Sequence, residues 1–234
     1  MVKIIHDKKV IHKTIYFALG VNIRGQSELL GLWPGEYEDD QFFLNVVTDL
    51  RKLGVQDVLI ICIDGIKKNT DAVRVVFPHV KIQFCTMYLV QHSVKYIYWY
   101  DYTSISDNLK TIYQSRSNEE ALLALKAFCE RWDDKYPHIG CFWKTHWDNI
   151  NTLFNYPITI KENIYTIHAY GTFINTIQKG IKNHNVFPSD ESAINIISLA
   201  IQTSEITWMS PIKNWKAVLN NFYNDFSNRL KDFE

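Results

Sequence analysis

The sequence predicts a mixed α/β fold, a sheet with helices on its flanks, and three observations carry that prediction. The first third is rich in β-branched and aromatic residues interrupted by turn chemistry. A continuous apolar run, Val58-Leu-Ile-Ile-Cys-Ile63, precedes a short helical stretch and then the alternating run Val80-Lys-Ile-Gln-Phe-Cys85, the pattern of a βαβ unit. From Ser104 onward, apolar residues recur at helical spacing.

Val10-Ile11 and Thr14-Ile-Tyr-Phe-Ala-Leu-Gly20 have strand character, Asn22 to Gly25 turn character, and Glu28-Leu-Leu-Gly-Leu-Trp33 forms the returning strand. This antiparallel meander is expected to continue the sheet of the βαβ unit. Phe42, Phe43, Val46, Val47 and Leu50 mark a helix, with Asp39 and Asp40 suited to its N-terminus and Gly54 to its end. The run Val58 to Ile63 lacks alternation, as does a strand buried on both faces, so Cys62 and Cys85 are expected to be buried, reduced thiols. A helix carrying Ala72, Val73, Val76 and Phe77 stops at Pro78. Leu122, Leu125, Cys129 and Trp132 line a helix opened by Asn118-Glu-Glu, and Trp143 and Trp147 share the next. Glu162 to Lys182 form a further helix, Pro188-Ser-Asp-Glu opens another, and Trp215, Val218, Leu219, Phe222, Tyr223 and Phe226 stripe the last.

Composition sets the outer limits. With 234 residues, 47% hydrophobic and 21% charged, the chain is a packed globule of one large or two small domains. No apolar run reaches the roughly 18–20 residues that span a bilayer, and the start lacks a signal-peptide core, so a cytoplasmic location is expected. The 25 Lys and Arg match 25 Asp and Glu, without the basic excess of a free-standing nucleic-acid binder. Either DNA is not the partner or the basic gripping part lies elsewhere. Cys62, Cys85, Cys129 and Cys141 form no CxxC pair, and Cys141 with His146 supplies at most half a zinc site. A glycine-rich phosphate loop and an activated cysteine are both missing from the pattern, which sets aside nucleotide hydrolysis and thiol catalysis.

Asp64 is the position best placed for chemistry. A carboxylate just past the C-terminal end of a buried strand projects into the crevice where open α/β sheets bind ligands, and Gly65 leaves room for a phosphate or metal. The alternative is a plain Asp-Gly turn, although the helical pattern that follows argues against a hairpin. Lys67 and Lys68 would suit a phosphate backbone or simply a solvated helix start. The run Tyr96-Ile-Tyr-Trp-Tyr-Asp-Tyr102 offers faces for unpaired bases, but burial in the core or between helices is the expected use of so many aromatics.

Ala18-Leu-Gly-Val, Leu30-Gly-Leu-Trp-Pro-Gly-Glu, Phe42 to Leu50, Ile63-Asp-Gly, Val76-Phe-Pro, Lys95-Tyr, Phe187-Pro-Ser-Asp and Met209-Ser-Pro-Ile-Lys-Asn-Trp215 follow one another along the chain. In order and spacing this set resembles the bacterial Mutator-type insertion-sequence transposases. The resemblance implies a ribonuclease-H-like catalytic core with an Asp-Asp-Glu triad and an all-helical insertion. Residues 1–103 would begin the core, residues 104–157 form the insertion, and residues 158–234 complete the core. It also implies two divalent ions, usually Mg²⁺, one activating the attacking oxygen and the other stabilising the leaving one. Asp64 matches the triad's second Asp, as a catalytic and metal-binding residue. DNA, as transposon ends and target, is the implied partner, with a homo-oligomer in the intact protein and no membrane.

The sequence departs from the family at three places. The family's first Asp lies upstream of the segment matching Lys3 and Val10, so that Asp and half its strand are expected to be missing; Asp7, the nearest carboxylate, falls in a turn and does not replace it. The family's Glu sits in a Thr-Asn-Ala-hydrophobic-Glu-Ser motif, and here Tyr165-Thr-Ile-His-Ala-Tyr-Gly171 places Gly171 at that position. Glu162, nine residues earlier, is two and a half helical turns away. His168, beside the vacated position, would reach DNA or simply stay at the surface. Where the family has Cys-x-x-His, this chain has Cys85-Thr-Met-Tyr88. The expectation is therefore an inactive, N-terminally truncated transposase catalytic domain. The alternatives are a non-catalytic DNA-binding or self-associating module and a structural relic.

Overall fold

A computed structural model describes residues 1–36, 39–63, 70–156, 160–161, 167–203 and 214–231. Its elements run β1 (Val2–His6), β2 (Lys9–Val21), β3 (Ser27–Gly35), α1 (Asp40–Lys52), β4 (Ile60–Ile63), α2 (Thr70–Val76) and β5 (Lys81–Phe84). The helices α3 (Thr86–Val94), α4 (Tyr102–Tyr113), α5 (Asn118–Trp132), α6 (Pro137–Thr145) and α7 (Trp147–Ile150) follow. Then come α8 (Ile167–Ile181), α9 (Asp190–Thr203) and α10 (Trp215–Leu230). The chain forms two units, one of Met1–Val58, Lys68–His79 and Thr166–Glu234, the other of Leu59–Lys67 and Val80–Tyr165.

In the first unit, Asp7 and Lys8 adopt positive φ (48° and 63°), closing a two-residue hairpin between β1 and β2. Asn22 turns the chain from β2 to β3, its Oδ1 accepting from the backbone N–H of Arg24 and Gln26 at 2.9 and 3.1 Å. The sheet is antiparallel in the order β1-β2-β3. The expected continuation into the βαβ strands is not what forms: β4 and β5 make a separate two-stranded ladder. The backbone explains why β1 accepts no such neighbour. On its outer edge Lys3 O accepts from Phe187 N at 2.8 Å, and Ile5 N donates to Phe187 O at 2.9 Å. Two of the groups a further strand would need, Lys3 O and Ile5 N, are already paired.

Helix α1 begins where the acidic pair predicts, with Asp39 Oδ1 accepting from Phe42 N at 2.7 Å, and Gly54 follows its end at φ +103°. Helix α2 buries Ala72 and Val73, and Phe77 just beyond it is also buried. Helices α8 and α9 pack as a pair on the sheet. Phe173, Ile177, Ile197 and Ile201 form a cluster with Ile15, Phe17, Leu19, Leu29 and Leu32, and the Phe17 and Phe173 rings lie 4.6 Å apart. Gly180 permits this approach, since a Cβ there would lie 2.2 Å from Ala200 Cβ.

In the second unit β4 and β5 pair in parallel, Ile60 opposite Lys81 and Ile63 opposite Phe84, as the βαβ pattern predicts. The core is helical and built around Ile105, Leu109, Ile112, Phe128, Ile139 and Trp143. Helix α5 is capped on both sides of its first turn: Ser117 Oγ accepts from Glu120 N at 3.2 Å, and Glu120 Oε2 from Arg116 N at 2.6 Å.

Several details correct the sequence-based expectations. Leu125, Cys129 and Trp132 of α5 are buried as expected, but Ala121 and Phe128 complete the buried face and Leu122 is turned outward. Trp143 and Trp147 do not share a helix, because α6 ends at Thr145, His146 caps it, and Trp147 opens α7. Strand β4 is half-buried rather than covered on both faces, having only β5 as a ladder partner among the described residues, and Cys62 is exposed. Cys85 is half-buried, and all four cysteines are free. The aromatic run is not core either. Tyr96, Tyr98, Trp99, Tyr100 and Tyr102 are exposed while Ile97 packs inward, because this stretch rounds the rim of the helical core through a turn and a single 3₁₀ turn. Among the described residues no helix is long and apolar enough to cross a membrane.

Candidate functional site

Asp64 follows directly on β4, and residues 64–69, which include Gly65, Lys67 and Lys68, lie outside the described residues. The strand that delivers Asp64 is described. Ile63 O accepts from Cys85 N at 2.9 Å, so pairing with the β5 side holds until the residue before Asp64. Both parallel strands finish at this end, and α3 starts immediately afterwards with Cys85 as its N-cap. Strand ends of this kind, with a helix leading away, are where α/β units gather ligand-binding groups.

Tyr88 sits in the first turn of α3. It is half-buried against the helical core, its ring 6.0 Å from that of His92. The residue in the family's His position is thus held by packing. His92 in turn stacks on Phe142 at 4.4 Å, and burial holds its imidazole below the usual histidine range, with Lys95 acting in the same direction.

Gly171 lies in the second turn of α8. Phe173, two residues on, packs against the β2 and β3 side chains. Glu162 lies outside the described residues. Asp7 is in the β1–β2 turn, as expected, with an exposed side chain 3.7 Å from His6 Nε2. Among the described residues no group of three or more His, Cys, Asp and Glu side chains could hold a metal ion.

One buried charge escaped sequence reasoning. Lys161 is 1% exposed, its Nζ donating to Ser115 O at 2.9 Å and Arg116 O at 3.4 Å, with the Phe154 ring centroid 5.1 Å away. It caps the carbonyls between α4 and α5, and burial pushes its pKa down. Nothing in the local pattern around Lys161 distinguishes it from a solvated lysine.

Comparison with known proteins adds to this geometry. The family described as "Transposase, Mutator family" matches residues 1–211. The "Probable transposase for insertion sequence element ISRM3-like" of Sinorhizobium fredii and the "Transposase for insertion sequence element ISRM3" of Rhizobium meliloti are each 32% identical over 230 residues. Those alignments cover 98% of this chain and 58% of each relative. A "Probable transposase for insertion sequence element" of Corynebacterium diphtheriae is 30% identical over 201 residues, covering 86% of this chain and 59% of that protein. The chain thus spans well under two thirds of the relatives it matches. With the family pattern matched from residue 1 to residue 211, the chain belongs to the Mutator family of transposases.

Proposed function

We propose that this chain supplies the catalytic-core region of an insertion-sequence transposase, a ribonuclease-H-like DDE fold, and that this copy has lost metal-dependent DNA cleavage and strand transfer. The observation that carries the second half is Gly171. By its resemblance to the family's Thr-Asn-Ala-hydrophobic-Glu-Ser motif it stands where the metal-binding Glu belongs, and a glycine has no side-chain oxygen to offer. Two-metal phosphoryl transfer needs several carboxylate oxygens around ions only about 4 Å apart. Of the matched triad positions within the chain, Asp64 alone carries a carboxylate. The residues present do not fit a pair of Mg²⁺ ions.

Two features support the transposase assignment without bearing on activity. The parallel β4–β5 pair ends at Ile63, the residue before Asp64, and the matched relatives are named as transposases for insertion sequences. DNA, as the element's ends and its target, is the proposed partner. What survives in this reading is binding and folding.

The test is an end-cleavage assay on duplex DNA carrying the element's terminal sequences, with Mg²⁺ or Mn²⁺. The proposal expects no nicking and no strand transfer. Metal-dependent cleavage that disappears in Asp64→Ala would overturn the loss of activity.

A further inference from the structure

The helical unit carries an unusual surface. Within seven consecutive residues, Tyr96 is 71% exposed, Tyr98 60%, Trp99 85%, Tyr100 56% and Tyr102 52%. Monomeric proteins rarely leave so much contiguous apolar area in water unless something binds there. The segment is nevertheless held firmly. Ile97 packs into the core, and Tyr98 N donates to Tyr136 Oη at 3.1 Å. Tyr136 Oη donates in turn to Asp101 Oδ2 at 2.6 Å. The backbone is pinned from beneath and the rings are left facing solvent.

The arrangement of those rings has a definite chemistry. Tyr98 and Tyr100 are parallel, 5.3 Å between centroids and 6° between planes, and Trp99 meets Tyr100 edge-on at 5.9 Å. Lys135 Nζ lies over both tyrosines, 4.8 Å from the Tyr100 centroid and 5.6 Å from that of Tyr98. Lys95 Nζ stands 5.2 Å over Tyr96. The one carboxylate among these residues, Asp101, is 14% exposed and is bonded by Lys135 at 2.6 Å and by Tyr136. Two cations to one anion leave the patch positive. Among the described residues between Val75 and Leu122, every exposed large apolar side chain is aromatic, so the surface is made of flat π faces rather than branched aliphatic knobs. Protein interfaces are also rich in Tyr and Trp but are depleted of Lys, whereas a nucleic-acid strand offers flat bases to the rings and phosphates to Lys95 and Lys135.

We propose that Tyr96, Tyr98, Trp99 and Tyr100, flanked by Lys95 and Lys135, form a stacking platform for the unpaired bases of a single DNA strand. The stacking chemistry stands on these side chains; the choice of DNA as the strand rests on the transposase reading above. Because the platform grips bases more than phosphates, its binding is sequence-tolerant and only weakly salt-dependent.

The test measures affinity of the full chain for a fluorescent oligothymidylate and for an abasic oligonucleotide of the same length, with element-end duplex in parallel. The platform binds the first and not the second. Trp99→Ala and Tyr100→Ala each weaken binding by about five- to a hundredfold, and Trp99→Phe retains most of it. Circular dichroism melts of these surface variants stay at the parent value. One or two phosphate contacts predict only about a three- to sevenfold loss between about 50 and 200 mM salt. Equal binding of the two oligonucleotides, or parent affinity in Trp99→Ala, overturns the proposal. So does a Trp99→Ala variant whose sedimentation shifts from dimer to monomer while its DNA affinity stays put, since a second copy would then be the occupant. Duplex bound without oligothymidylate refutes the platform alone; neither bound refutes the platform and the DNA partner together.

Discussion

Arg229, near the end of α10, is the residue whose removal has the most readable consequence. Its guanidinium forks onto Asp57, Nε to Oδ2 at 2.8 Å and Nη2 to Oδ1 at 2.6 Å. It also donates to His79 O at 2.6 Å and Val58 O at 2.8 Å. One side chain thus ties the last helix to the residues leading into β4. The pair is partly buried, with Arg229 21% and Asp57 33% exposed. A charged fork of that exposure is worth about 1–2 kcal/mol, and the two carbonyls, which regain water when abandoned, about 1 kcal/mol between them. Arg229→Ala is therefore expected to cost about 2–3 kcal/mol near neutral pH in urea unfolding followed by circular dichroism. Arg229→Lys recovers less than half, because an ammonium cannot fork. The Arg229 hydrogen bonds hold the Asp57 carboxyl below the usual aspartate range, outweighing the opposing effect of burial. The folded state then resists protonation more than the unfolded state does. The fork's contribution is present above the unfolded value of about 4 and fades as pH falls through the lower folded value. The Arg229→Ala deficit should shrink to about 1 kcal/mol in acid. A deficit equal at neutral and acid pH, or no deficit at all, would refute this assignment.

Other expected outcomes follow from packing. Trp143, fully buried in α6, donates from Nε1 to Ser93 Oγ at 2.8 Å, and Ser93 donates on to Leu89 O at 2.7 Å. Ser93→Ala leaves the indole N–H buried without an acceptor and should cost about 1–3 kcal/mol, but well under 1 kcal/mol in a Trp143→Phe background; equal costs in both would break the coupling. Gly180→Ala gains up to about 1 kcal/mol of helix propensity yet forces α8 from α9, so a net loss of about 1–2 kcal/mol is expected in thermal melts. Lys161→Ala removes the cap between α4 and α5 and opens space beside Phe154, with an expected loss of about 2–4 kcal/mol.

Where local chemistry alone decides structure, the sequence was a good guide. Asp39 caps α1, Gly54 follows its end, and Ser189 accepts from Ser192 N at 3.1 Å to open α9. The parallel pairing of β4 and β5 follows from two apolar runs separated by a helix. Features that depend on distant partners were not legible. Nothing near Lys3 and Ile5 announces that Phe187 will occupy their edge hydrogen bonds, so the sheet looked continuous where it divides. Asp7 and Lys8 form the tight turn without the glycine that usually signals one. Burial is the usual fate of aromatics and the sequence favours it here, yet the run is exposed, with Tyr98 N held by Tyr136, 38 residues later. Of the site, the matched positions of Asp64 and Gly171 are legible only through the family pattern, since a turn aspartate and a helical glycine carry no chemical signature of their own.

If Gly171 stands at the position of the family's metal-binding Glu, as proposed, Mn²⁺ calorimetry on the full chain tests that loss most directly. The parent chain is expected to bind Mn²⁺ weakly. Gly171→Glu should tighten binding by at least about tenfold, since a second carboxylate sharing one divalent ion easily supplies more than 1.4 kcal/mol. The double variant Asp64→Ala with Gly171→Glu should lose that gain. Mn²⁺ affinity left unchanged by Gly171→Glu would contradict the account, because the two positions would then not face a common ion.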